Sequence, residues 1–239
     1  RINQDLIDVI MMNVRIPERA KGDLRAQMIA VSTGERGFVE LVKRYGRVEV
    51  QGAIDEILRQ SERSARVRTA SIPDGVYEAE SFMDDDGVDI GKRIPVKVKV
   101  IVKGDEMTID LSDVAPQVRG FYNSGLTTGI ACCQVAYKCL TSPSDYPINE
   151  GSFRALKVAL TPGTVVTAVK PAAMRMWMTF PMTVVDTILK AMEKAIPGRT
   201  IAAHHADLVA VVHDRHAAGQ EQHVVREQVA FHQLLARGR

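Results

Sequence analysis

This sequence predicts an α+β fold: N-terminal helices, then antiparallel β-hairpins with packed helices. Three observations carry that expectation. The first 70 residues repeat apolar side chains at helical spacing. Ile94, Val96, Val98, Val100 and Val102 then alternate with Lys97, Lys99 and Lys103, the period of a strand with one buried face. Helices first, then hairpins, then mixed elements do not fit the regular β-α alternation of a doubly wound sheet.

Taken in order, Phe38, Leu41, Val42 and Tyr45 recur at i, i+3, i+4 and i+7, and Gly46 follows where a helix would stop. A further helix places Val50, Ile54, Ile57, Leu58 and Ala65 on one face. Pro73-Asp74-Gly75 predicts a turn. The valine strand ends at Gly104-Asp105, a hairpin turn into a strand over residues 107–111. Ile130, Cys133, Tyr137 and Leu140 predict a core helix, with Thr127 or Thr128 as its N-cap. Leu156, Val158 and Leu160 alternate in another strand, closed by Pro162-Gly163. A last helix spans residues 181–196, with Met182, Val185, Leu189, Met192 and Ile196 inward, Pro181 in its first turn and Gly198 at its end.

Composition excludes several classes of function. With 239 residues the chain can bury a sizeable core, and its 46% apolar and 25% charged content is that of an ordinary globular protein. A net charge of +2 gives no reason to expect nucleic acid or a membrane surface as partner. No apolar run reaches the length of a transmembrane helix, and the N-terminus does not read as a signal peptide. Cys132, Cys133 and Cys139 share one predicted helix without metal-ligand spacing, and read as buried small apolar residues in a reducing cytoplasm. No phosphate-binding glycine pattern occurs. Asp84-Asp85-Asp86-Gly87 lacks the spacing of a calcium loop and reads as a solvated turn between strands.

Two polar blocks hold most of the candidate chemistry. Gln117, Arg119 and Asn123 occupy a loop just before the core helix, whose N–H groups and positive dipole end would lie beside a cation and two amides. Such a place can hold a carboxylate or a polarised carbonyl, although a well-capped core helix has the same spacing. Asn149-Glu150-Gly151-Ser152-Phe153-Arg154 forms the second block, where a glycine lets a tight turn aim polar side chains before a strand. Arg119 could neutralise a carboxylate or phosphate with its fork of donors. Asn123 and Asn149 could orient a carbonyl, or serve the turns they sit in. Glu150 could be a general base, or could pair with Arg154. All six histidines lie between His204 and His232, and His204, His205 and Asp207 make a candidate metal half-site. Trp177 stands among Met174, Met176 and Met178, a core or subunit-interface composition.

The stretch VRGFYNSGLTTGIACCQVAYKCL, followed by PINEGSFRALKVALTPGTVV, resembles the hydantoinase B/5-oxoprolinase family, which includes the large subunit of acetone carboxylase. NVRIPERAKGDLRAQMIAV near the start and VYEAESFMDDDGV look like the same family, so the likeness runs in order from about residue 2 to 210. The resemblance implies a hydrolase acting on the C–N bond of a cyclic amide such as hydantoin, 5-oxoproline or another lactam. It also implies an ATP-using hydantoinase A-type partner that handles the nucleotide and phosphorylates the substrate, and a divalent metal in the full-length subunit. A ketone carboxylase subunit is the alternative, and an interaction module that kept the fold but lost catalysis is a third. The family's usual metal-binding His and Asp residues belong to an N-terminal half that does not match here, so those roles are not carried over to residues 204–207.

Arg1 in place of Met, with direct entry into helical sequence, predicts a cut start. Residues 1–211 are expected to form a partial hydantoinase B-type domain, helical over 1–70 and mixed over 71–211. Residues 212–239 depart in composition and form an atypical tail. Two accounts of it stand: a natural helix with a narrow apolar stripe (Val225 and Val229, or Val224, Phe231 and Leu235), and, favoured, a shifted reading frame.

Overall fold

The structure is a computed structural model that describes residues 2–14, 16–141, 148–174 and 180–197. Trp177, Gly198, His204, His205, Asp207 and the 212–239 tail lie outside the described residues. The chain divides into two units, Arg1–Ile57 and Leu58–Arg239.

In the first unit, α1 covers Gln4–Met12, α2 covers Pro17–Tyr45, and α3 (Arg47–Thr69) begins. The Asn3 side chain accepts from the Leu6 N–H and caps α1. Pro17 opens α2, where its missing N–H costs nothing. Gly46, at φ +87°, stops α2 and sends its N–H to the Val42 carbonyl, as the sequence led one to expect. Among the described residues up to 57, none is buried, and the apolar stripe of Phe38, Leu41 and Tyr45 stays about half exposed.

The second unit is built on a four-stranded sheet in the order β1-β2-β3-β4: Gly75–Met83, Ile94–Lys103, Glu106–Asp110 and Leu156–Ala159. β1, β2 and β3 pair antiparallel, with Val100 opposite both Tyr77 and Ile109. The hairpin from β2 to β3 turns on Gly104 at φ +60°, whose N–H is held by the Asp74 carboxylate. β4 pairs parallel to β3, not as part of another hairpin. The reason is the connection: helix α4 (Leu126–Thr141) and a 3-10 turn, η1 (Glu150–Phe153), carry the chain back to the same end of the sheet.

Alternation decides which side of the sheet is core. Ile94, Val96, Val98, Val100 and Val102 are buried together with Met107 and Ile109, while Lys97 and Lys103 are exposed. Each such valine, fully buried, stabilises the fold by about 1.5 kcal/mol or more. Helices α4 and α5 (Phe180–Ala191) contribute Cys132, Cys133, Ala136, Tyr137, Val184, Val185 and Ile188 to the same core, and Met192 just after α5 joins them. The Tyr137 hydroxyl lies 2.7 Å from Thr69 Oγ1, joining α4 to the end of α3.

Three details differ from expectation. Helix α5 ends at Ala191, short of the expected 196, and residues 192–195 continue only as turns. Helix α4 starts at Leu126, so Thr127 and Thr128 lie in its first turn, and the Gly125 carbonyl receives the N–H groups of Thr128 and Gly129. The loop supplies that start, because Ser124 is already anchored to Val165. Cys139 is exposed while Cys132 and Cys133 are buried: two turns on from Cys132, it falls at the edge of the buried face of α4, near the helix end.

Candidate functional site

The loop before α4 is held by its own amide side chains. Gln117 Oε1 accepts from the Val169 N–H at 2.9 Å. Asn123 is only 3% exposed. Its Oδ1 accepts from the Val118 N–H at 2.8 Å, and its Nδ2 donates to the carbonyls of Val118, Gly120 and Ala173, each at 2.9 Å. Both amides therefore bind backbone. Arg119 is what the loop presents outward: its side chain is 76% exposed, with Nη1 3.1 Å from Asp89 Oδ1. Solvent screens such a pair, so by itself it fixes the guanidinium weakly.

Asp86 is the functional-loop residue that the sequence did not reveal. The aspartate triplet read as a solvated turn, yet Asp86 is 2% exposed. Its Oδ1 accepts from the N–H groups of Val88 (2.8 Å) and Asp89 (2.6 Å), and its Oδ2 from the N–H of Gly120 (2.8 Å). Burial pushes the carboxyl pKa upward, but the backbone N–H donors outweigh it and hold the group below the ordinary aspartate range. Gly120 is required here, since a Cβ on it would stand 1.7 Å from the Asp86 carbonyl oxygen. Asp85 behaves as a turn residue, accepting from Gly87 and Gly91. The one available signal was Gly120 itself, a glycine with no turn dipeptide to explain it.

The second polar block folds as η1 against the C-terminal part of α3. Asn149 Nδ2 donates to Ser61 Oγ at 2.7 Å, and Arg154 Nη1 bonds Glu62 Oε2 at 3.1 Å. Arg154 thus pairs with Glu62, not with Glu150, which is exposed. Glu62 also bonds Arg66, and Arg66 first, then Arg154, lowers its pKa. Gly151 lets the two segments touch, because a Cβ there would lie 2.1 Å from the Leu58 carbonyl oxygen. Among the described residues, two buried atoms on this turn find no hydrogen-bond partner, Asn149 Oδ1 and Ser152 Oγ. Buried polar atoms left in this way are uncommon and need a reason.

The structure therefore gathers Arg119 and Asn123 in one loop, and Asn149, Glu150 and Arg154 in one turn. Among the described residues no cluster of three or more His, Cys, Asp or Glu side chains could hold a metal ion. All six histidines fall outside them, so no chemistry is assigned to a metal here.

With this fold and these loops on view, the comparison with known proteins is direct. The chain belongs to the hydantoinase B/oxoprolinase family, whose model matches residues 1–238. Among its relatives, it is 33% identical over 202 residues to the beta subunit of the caprolactamase of Pseudomonas jessenii, a match covering 84% of this chain and 34% of that protein. It is 31% identical over 209 residues to the B-type subunit of a D-/L-hydantoinase named in a Pseudomonas strain, with 84% and 35% covered. The crystal structure of the ATP-dependent caprolactamase from Pseudomonas jessenii superimposes with a TM-score of 0.74 over 83% of this chain and 34% of that one, at 31% identity. Nucleotide-free acetone carboxylase shares the fold, with a TM-score of 0.70 at 14% identity. The chain spans about a third of the length of these two curated relatives. No helix among the described residues is long and apolar enough to cross a membrane.

Proposed function

We propose that this chain is part of a hydantoinase B-type subunit that takes part in ATP-dependent hydrolysis of a cyclic amide, together with an ATP-using partner of hydantoinase A type. The 33% identity to a caprolactamase beta chain, extending over 84% of this chain, carries the reading. In this scheme the partner phosphorylates the lactam carbonyl, which makes the ring carbon an imidate-like electrophile. Arg119, exposed and carrying a full fork of donors, neutralises a carboxylate or phosphate. Asn123 holds the Arg119 loop in shape through four backbone contacts. Asn149, anchored to Ser61 through its amide nitrogen, orients the substrate carbonyl in this scheme, with Arg154 bracing the turn through Glu62. Glu150, exposed beside them, is the candidate base.

A second reading, ketone carboxylation, is favoured by 27% identity over 155 residues to the acetophenone carboxylase delta subunit of Aromatoleum aromaticum, covering 64% of this chain. Co-expression of the full gene product with its ATP-using partner separates the two. Hydantoin, 5-oxoproline and caprolactam are assayed for ring-opened product and substrate-dependent ADP, beside a ketone with bicarbonate. Lactam-dependent ATP use with ring opening supports the hydrolase. ATP use that requires ketone and bicarbonate replaces it with the carboxylase, and no substrate-dependent ATP use leaves a non-catalytic module.

A further inference from the structure

One carboxylate touches both ends of the weak Arg119–Asp89 pair. Asp86 Oδ1 accepts from the N–H of Asp89 itself at 2.6 Å, and Asp86 Oδ2 accepts from the N–H of Gly120, the residue next to Arg119, at 2.8 Å. The backbone of each partner is thereby held by the same buried side chain. On the far side of the loop, Asn123 bonds Val118 N–H, Val118 O and Gly120 O, so Arg119 lies between two clamped neighbours. Gly120 and Asp86 are also in steric contact, with no room for even a Cβ between them. The Phe121 ring packs on Gly87 from the next position, since a Cβ at Gly87 would stand 3.3 Å from it. Arg119 has a long and mostly exposed side chain, whose rotamer freedom would otherwise have to be lost each time it met an anion.

We infer that Asp86 is the positioning residue for Arg119: its buried carboxylate ties the Asp86–Asp89 turn to Gly120 and so sets where the guanidinium points. The inference rests on the reading of Arg119 as the substrate-anion contact. Asp86 touches no substrate in this scheme; it acts only through the backbone it binds. Asparagine is the near-isosteric test, because its amide nitrogen would face the Gly120 N–H and cannot accept from it.

The experiment uses the full protein with its ATP-using partner and whichever cyclic amide of the panel it turns over. D86N, R119A, D89N and D86N/R119A are compared by kcat/KM, and amide hydrogen exchange is followed at Gly120 and Asp89. D86N is expected to lower kcat/KM about tenfold, with faster exchange confined to residues 86–91 and 118–123. The double variant should be no worse than R119A alone, because a mispositioned Arg119 has nothing further to lose. A general loss of stability would not produce that coupling. Full additivity, or an unchanged kcat/KM in D86N while R119A is impaired, overturns the role of Asp86. An unimpaired R119A overturns the reading of Arg119 and the inference with it, and leaves the hydrolase itself standing if turnover is seen. Should D86N fail to fold, D86S carries the test, because one hydroxyl oxygen cannot accept from Gly120 and from the 88–89 turn together. An unchanged kcat/KM there refutes the positioning of Arg119 through this turn, whereas D89N, which keeps its backbone N–H, is expected to change kcat/KM little.

Discussion

Gly151→Ala is expected to open the contact between η1 and the end of α3. The added Cβ would stand 2.1 Å from the Leu58 carbonyl oxygen and 2.9 Å from its C and Cα, all backbone atoms that cannot rotate away. Ordinary contact begins at 3.4 Å, so the turn must retreat by roughly an ångström. A retreat of that size breaks the 2.7 Å hydrogen bond from Asn149 to Ser61 and draws Arg154 away from Glu62. The lost part-buried hydrogen bond costs about 1 kcal/mol, and overpacking against a fixed backbone about 1–3 kcal/mol more. Together they predict a destabilisation of about 2–4 kcal/mol, read by urea unfolding, and a melting temperature lower by roughly 5–15 °C. Exchange with solvent should rise at Ser61 and Ser152 before it rises in the strands. A variant within about 0.5 kcal/mol of the parent would refute the packing argument, since no side-chain adjustment is available to absorb the clash.

Other expectations are open to equally direct tests. Helix propensity alone favours Ala over Gly by up to about 1 kcal/mol in a helix interior. Gly52→Ala in α3, with nothing within 4 Å, should therefore stabilise, whereas Gly129→Ala in α4, whose Cβ would meet the Val166 carbonyl oxygen at 2.6 Å, should destabilise by about 1–3 kcal/mol; equal signs in thermal melts would contradict this. Burial pushes the Cys132 thiol up to about 12 and that of Cys133 higher still. A maleimide reagent at neutral pH should thus label Cys139 first and the other two only on unfolding, and mass spectrometry of the labelled peptides would show otherwise. The folded Asp86 pKa lies below its unfolded value, so its contribution is complete above about pH 4 and is lost as pH falls lower. Tyr137 runs the other way. Burial raises its pKa, though the Thr69 hydroxyl opposes the shift, so its contribution is whole below about pH 10 and fades as pH rises further. Tyr137→Phe should remove that alkaline loss in a pH series of urea midpoints, and an unchanged alkaline limb would argue against it.

Local rules were enough for most of the elements. The apolar stripe on α2 with Gly46 after it, the valine–lysine alternation of β2, and Gly104 at the hairpin each depend on residues a few positions apart, and each stands where the sequence put it. The family, too, was legible, because its blocks VRGFYNSG and PINEGSFR run in order along the chain and the family model matches it. Helix α4 begins a residue or two before its predicted caps, since the anchoring of Ser124 to Val165 and Ala168 sets where its first turn closes.

What needed the tertiary structure was every partner far away in the chain. That Asp86 is buried under Gly120, 34 residues on, turns the middle of an acidic triplet from a solvated turn into a clamp. That Arg154 reaches back 92 residues to Glu62, past its neighbour Glu150, makes the second polar block a brace for α3. The parallel pairing of β4 with β3 likewise follows from the crossover through α4, not from anything in the four residues of β4. Sequence patterns record the faces that helices and strands present, because those repeat with the backbone's own period. They do not record which loop meets which, and at Asp86 and Gly151 the close backbone approaches decide what the polar residues do.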